Sequence, residues 1–145
     1  MTENKSNQSR NDEDIIIKNQ MERMVNSYDL YMKRITLGRE DALRTMTVNL
    51  AQIKQGYRVL EVGCATGTLS LAAKRKAGPE GSVFGIDIIP GMIEVSRKKA
   101  AQAKLDVLFQ LGSIDNIPFT NDHFDVVMCS FMIFHMSEKV RNLGI

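Results

Sequence analysis

Two carboxylates and the glycine turn between them are the groups in this 145-residue chain whose types and spacing could do chemistry. In Val59-Leu-Glu-Val-Gly-Cys-Ala-Thr-Gly-Thr-Leu-Ser-Leu-Ala-Ala73 an apolar run suited to a covered strand passes through Gly63 and Gly67 into the apolar face of a helix. Without Cβ atoms the backbone of such a turn can approach a bound molecule closely, and the unpaired amides of the helix that follows favour a negative group. Glu61 puts an acid near the strand's C-terminal end, where open α/β sheets receive their ligands. The dinucleotide fingerprint G-x-G-x-x-G is not met, because from Gly63 position 65 is Ala and position 68 is Thr.

The second acid, Asp87, ends the apolar segment Ser82-Val-Phe-Gly-Ile-Asp87, about one βαβ unit downstream. A carboxylate there can accept hydrogen bonds from both hydroxyls of a ribose. It can also cap the helix that begins near Pro90, for which Asp is a good residue type. Its pairing with the Gly63 turn favours the ribose.

With these blocks in view, the sequence resembles the class I S-adenosylmethionine-dependent methyltransferases, in the broad group that includes the ubiquinone and menaquinone C-methyltransferases. The likeness runs over about residues 28–137. Glu61-Val-Gly-Cys-Ala-Thr-Gly67 corresponds to the family's D/E-x-G-x-G-x-G, and Asp87 to its strand-end acid. A third block is matched by Gly112-Ser-Ile-Asp-Asn-Ile-Pro-Phe119 and Phe124-Asp-Val-Val127.

The resemblance implies an S-adenosylmethionine cofactor and a small-molecule methyl acceptor. It places Gly63, Gly67 and the helix start near Thr68 at the methionine end, Asp87 at the ribose, Ile88 against an adenine face, and Ser113 and Ile114 at the adenine edge, with Glu61, Cys64 and Ala65 also counted in the cofactor site. Two positions depart from the pattern: Ala65 stands for the family's middle glycine and Ser113 for a frequent Asp. Both bear on cofactor affinity rather than identity. No residue is marked as catalytic, but if the acceptor needs a base, His135 follows the fourth strand at the ligand-binding side of the sheet. A packing role is the commoner one for a histidine between Phe134 and Met136. His123, beside Asp122, reads as a solvated loop residue.

These groups must be positioned by an alternation of strands and helices. The pattern predicts strands at 58–62, 82–87, 107–111 and 125–130, with helices at 67–77 and 90–104. This is an α/β Rossmann-like parallel sheet with helices on both faces and strand order 3-2-1-4. Residues 1–12 are polar and read as a disordered tail, and residues 13–55 as an N-terminal helical lid ahead of a cofactor domain over 56–145. Ile17, Met21, Met24, Tyr28, Tyr31 and Ile35 recur at helical spacing, with Tyr28 and Tyr31 the candidates to touch ligand, and a second helix is expected from Arg39 to Ile53. Tyr28-Asp29 also resembles a Tyr-Asp or Phe-Asp pair of related enzymes.

Composition narrows the function classes. With 43% hydrophobic and 25% charged residues the chain reads as globular and cytoplasmic, with no apolar run near the roughly 20 residues of a membrane span. A net charge of +2 is too slight to indicate nucleic acid. Cys64 and Cys129 are expected as core fillers rather than a disulfide or metal site. The resemblance also implies a further helix and three strands after the fourth, so the expectation is a truncated methyltransferase. Its uncovered fourth strand would invite self-association. Two other readings follow: a cofactor-binding remnant without turnover, and an NAD-dependent oxidoreductase, against which the glycine spacing counts.

Overall fold

The computed structural model describes residues 15–130. A helix over 15–24 (α1) leads through a 3₁₀ turn, Val25–Ser27, into α2 (Tyr28–Ile35) and α3 (Glu40–Leu50). Then come β1 (Arg58–Val62), α4 (Thr68–Ala77), β2 (Ser82–Asp87), α5 (Pro90–Ala103), β3 (Leu108–Leu111) and β4 (Val126–Cys129). The four strands form one parallel sheet in the order β3-β2-β1-β4. This is the expected Rossmann-like α/β architecture and strand order; among the described residues α3, α4 and α5 share one core cluster, and the other face is packed by residues outside the helices.

Strand parity sets what each face does. Val59, Val83, Phe109 and Met128 point to one face, where they pack with Leu69, Ala73 and Ala77 of α4 and Ile93 and Ala100 of α5. Val48 of α3 joins the same cluster. Leu60, Val62 and Ile86 point to the other face and are covered by Phe84, Ile114, Phe119 and Phe124. That second cluster corrects the reading of His123. Its ring stacks on Phe119 at 5.7 Å and meets Phe124 edge-on at 4.8 Å, so the loop that carries it is anchored to the sheet rather than solvated.

The element ends have local causes. α5 stops at Ala103 because Lys104 takes a left-handed backbone. α4 ends at Ala77, where Gly78 takes a φ of 75° that favours glycine, and Lys74 of its last turn donates to the Gly81 carbonyl at 2.5 Å. β4 is shorter than expected: Asp125 is held just ahead of it, its carboxylate accepting the Arg58 amide at 2.7 Å.

The larger difference is in the N-terminal segment. The 3₁₀ turn interrupts what the spacing predicts as one helical face, and its three residues per turn shift the phase of everything after it. Tyr28 and Met32 therefore face inward, with Met32 fully buried, while Tyr31 and Ile35 are about half exposed. Tyr31 is thus turned away from the position its spacing suggested. The polar tail 1–12 and His135 lie outside the described residues.

Candidate functional site

The turn after β1 is built from alternating left-handed residues: Gly63, Ala65 and Gly67 have φ of +70°, +46° and +79°. It hangs on the end of β2. The amides of Gly63 and Cys64 donate to the Ile86 carbonyl at 2.8 and 3.0 Å, and the Ala65 amide donates to Asp87 Oδ2 at 2.8 Å. An alanine at positive φ is strained by roughly 1 kcal/mol or more relative to glycine. Ala65→Gly is accordingly expected to raise the melting temperature by a few degrees, and a thermal scan in which it melts lower would show that the Ala65 methyl contributes packing instead.

Asp87 joins two parts of the site. Its Oδ1 accepts the Ile89 amide at 2.9 Å while Oδ2 holds the turn. The N-cap of α5 is Ile89, so Asp87 does not cap that helix in the ordinary sense. Burial pushes its carboxyl above the usual range, against the amides of Ile89, Ala65 and Ile88, and the nearby Glu22 carboxylate pushes the same way. A carboxylate has about four acceptor positions, so these amides leave room for a hydroxyl donor. Ile88 beside it is about half exposed and offers an apolar surface.

Glu61 lies beneath the turn. It shares strand parity with Val59, so it points toward α4 and is only 2% exposed. Its carboxylate accepts the Ser70 hydroxyl in the first turn of α4, where an anion also suits the helix dipole. Burial raises its pKa to about 7, opposed by Ser70 and by Arg44. Cys64 is buried as well, and burial pushes its thiol up, which leaves it a packing residue without nucleophilic character.

The rest of the predicted set divides. Ser113 is half-buried and its hydroxyl accepts the Asp115 amide at 3.2 Å, while Ile114 packs on the Leu60, Val62 and Ile86 cluster. Gly67 has a second reason to be glycine: a Cβ there would stand 2.7 Å from Phe109 Cζ and 2.8 Å from Ser96 Cβ. The missing side chain faces the interior.

Several residues at the turn carry no motif. Asp29 of α2 accepts the Thr66 hydroxyl at 2.6 Å and pairs with Lys99 of α5 at 2.6 Å. Lys99 also donates to Thr66 and Thr68 at 3.1 and 2.9 Å. Tyr28, next to Asp29, has its hydroxyl pKa pushed up to about 12 by burial, with Arg44 opposing and Asp87 and Glu61 reinforcing. Arg44 is itself held by Glu40 at 2.5 Å. The Tyr28-Asp29 pair was the one sequence signal for this cluster. Among the described residues no group of His, Cys, Asp and Glu could hold a metal ion, and no helix is long and apolar enough to cross a membrane.

This arrangement of turn, strand-end acid and third block falls within a single family match, since a profile described as a methyltransferase domain fits residues 53–144. The chain belongs to the methyltransferase domain family. It is 32% identical over 116 residues to the ubiquinone/menaquinone biosynthesis C-methyltransferase of Burkholderia multivorans, covering 80% of this chain and 48% of that protein. The corresponding enzyme of Ralstonia pickettii is 32% identical over 121 residues, covering 83% and 50%. This methyltransferase domain chain thus spans about half the length of the curated relatives it matches.

Solved structures agree on the fold. A putative S-adenosyl-L-methionine-dependent methyltransferase from Methanococcus maripaludis superposes with a TM-score of 0.68 at 19% identity, over 81% of this chain and 53% of that one. An S-adenosylmethionine-dependent methyltransferase from Aquifex aeolicus gives 0.63 at 23% identity, over 69% and 54%. The fold is that of the class I S-adenosylmethionine-dependent methyltransferases.

Proposed function

We propose that this methyltransferase domain binds S-adenosylmethionine on the Gly63–Gly67 turn and serves methyl transfer to a small-molecule acceptor. The observation that carries the reading is the charge around the turn. Asp87, Glu22 and Asp29 gather there, with Glu61, half-ionised near pH 7, beneath them, against Arg44 and Lys99. Carboxylates in that number suit a ligand with a sulfonium and an ammonium, and they oppose the two negative charges of a dinucleotide's pyrophosphate.

The donor set fits the cofactor. Asp87 has acceptor capacity for a ribose hydroxyl, Ile88 offers an apolar face for adenine, and the left-handed turn brings backbone rather than side chains toward the ligand. Ser113 and Ile114 are assigned to the adenine edge, and Gly63, Cys64, Ala65 and Gly67 to the methionine end. Glu61 acts from below, by holding Ser70 and the start of α4. When bound, the cofactor supplies an electrophilic methyl group for in-line displacement. The chain's part is to bind and orient it and to keep the site dry beneath Tyr28 and its helix. Val127 on β4, 60% exposed and at the sheet edge among the described residues, supports self-association as a further part of the reading.

Calorimetric titration with S-adenosylhomocysteine and with NAD tests the assignment. Preference for S-adenosylhomocysteine is expected, and Asp87→Ala should weaken it by about 1.5–3 kcal/mol, the loss of hydrogen bonds to a charged acceptor. Equal affinity for NAD would overturn the reading, and an indifferent Asp87→Ala variant would remove Asp87 from the ligand.

A further inference from the structure

We propose that Asp29 is a positioning residue for the cofactor turn: it fastens the N-terminal helices to Thr66 and Lys99, so that ligand binding and docking of that segment form one linked equilibrium. The proposal rests on the turn being the S-adenosylmethionine site. Thr66 stands between the left-handed residues Ala65 and Gly67 and is 1% exposed, so the position of its side chain fixes the local course of the turn. The group that holds it comes from 37 residues upstream.

Both Asp29 oxygens are used, Oδ1 by the Thr66 hydroxyl and Oδ2 by the Lys99 ammonium. Lys99 closes the network by donating to Thr66 and to Thr68, the first residue of α4. Four side chains thereby join α2, the turn, α4 and α5. An isolated ion pair between side chains 43% and 25% exposed would contribute little. Here the pair is part of a network that includes a buried hydroxyl, where hydrogen bonds to a charged group are stronger.

A second contact pins the same segment beside the same strand end. Gly91, in the first turn of α5, lies so close to Val25 that a Cβ there would stand 3.0 Å from Val25 Cγ2. The Glu22 carboxylate acts electrostatically on Asp87, and Asp87 in turn acts on the Tyr28 hydroxyl. Residues 22–29 thus bear on the turn and on the strand-end acid together. Linkage is reciprocal: whatever factor the docked segment adds to ligand affinity, the ligand returns to docking.

The test combines S-adenosylhomocysteine titration with hydrogen exchange at the amides of α2. In the unaltered chain the ligand should slow exchange over Tyr28–Ile35 by about tenfold. Asp29→Ala should weaken binding by about tenfold and abolish that ligand-dependent slowing, while Asp29→Asn, which keeps an oxygen for Thr66 but loses the ion pair, should cost about threefold. Lys99→Met should also weaken binding, and combining it with Asp29→Ala should add less than its separate effect. Lys99→Met carries the test should Asp29→Ala fail to fold. Asp29→Ala binding with normal affinity, or ligand slowing α2 exchange equally in that variant, overturns the proposal. An unaltered chain that does not bind S-adenosylhomocysteine overturns the assignment of the site as well.

Discussion

Gly67→Ala is expected to destabilise the fold by about 2–5 kcal/mol and to lower its melting temperature by about 10 °C or more. Two effects add. Gly67 has φ of +79°, a backbone that an L-residue adopts at a cost, and its Cβ would press on Phe109 and Ser96 at under 3 Å. Neither neighbour has an easy escape: Ser96 is fully buried on α5, and Phe109 is buried in β3. A loss of this size is a large fraction of the 5–15 kcal/mol that holds an ordinary domain together. Circular dichroism melts of the single variants and of Gly67→Ala with Phe109→Leu separate the two effects. Removing the ring should relieve the clash, so the double variant should be less destabilised than the sum of its parts. A Gly67→Ala chain that melts within about 2 °C of the parent would show that the turn has room the packing denies it.

The second large effect concerns pH. Glu61 has its carboxyl raised from an ordinary 4.5 to about 7, chiefly by burial. The folded state therefore holds a proton that the unfolded chain releases, and the stability it confers is full below about pH 4.5 and lost as pH rises through about 7. At 1.36 kcal/mol per pH unit the loss amounts to about 3 kcal/mol. Glu61→Gln does not titrate. Between pH 4.5 and 8 its stability relative to the parent should shift in favour of glutamine by about that amount, as read from urea midpoints across the range. Asp87, also raised, is present in both chains, so its own burial cancels in the difference and only its small coupling to Glu61 remains. Parallel pH curves for the two proteins would show that Glu61 is ionised throughout, with Arg44 offsetting its burial.

The sheet was legible from sequence because its signals are local. Val59, Leu60 and Val62 make an apolar run ended by Gly63, and Ser82 to Asp87 is bounded by Gly81 and Pro90, so both strands fall where the spacing puts them. The orientation of Glu61 was legible too, from its parity with Val59, although a motif reading draws attention to the acid and away from the direction it points. What spacing cannot show is contact between distant positions. Asp29, Thr66 and Lys99 belong to three separate elements and have no periodic relation, so only the folded chain brings them together. The 3₁₀ turn at Val25–Ser27 was hidden for another reason. Three-residue and four-residue spacings both read as helix, and the change from one to the other rotates Tyr31 outward while keeping Tyr28 inside.

The placement of β4 beside β1 has a consequence for the order in which the chain assembles. β1, α4 and β2 follow one another directly and can form a βαβ unit as soon as they are synthesised, each contact closing a short loop. β4 completes the sheet on the far side of β1, and the bond that starts its register, from the Arg58 amide to Asp125, spans 67 residues. Loop closure of that length is entropically slower, and on a ribosome the partner strand emerges long after β1. Until it does, the inner edge of β1 stays open. The short strand at the end of the order, rather than the glycine turn at its centre, sets the moment at which the open edge passes from β1 to β4.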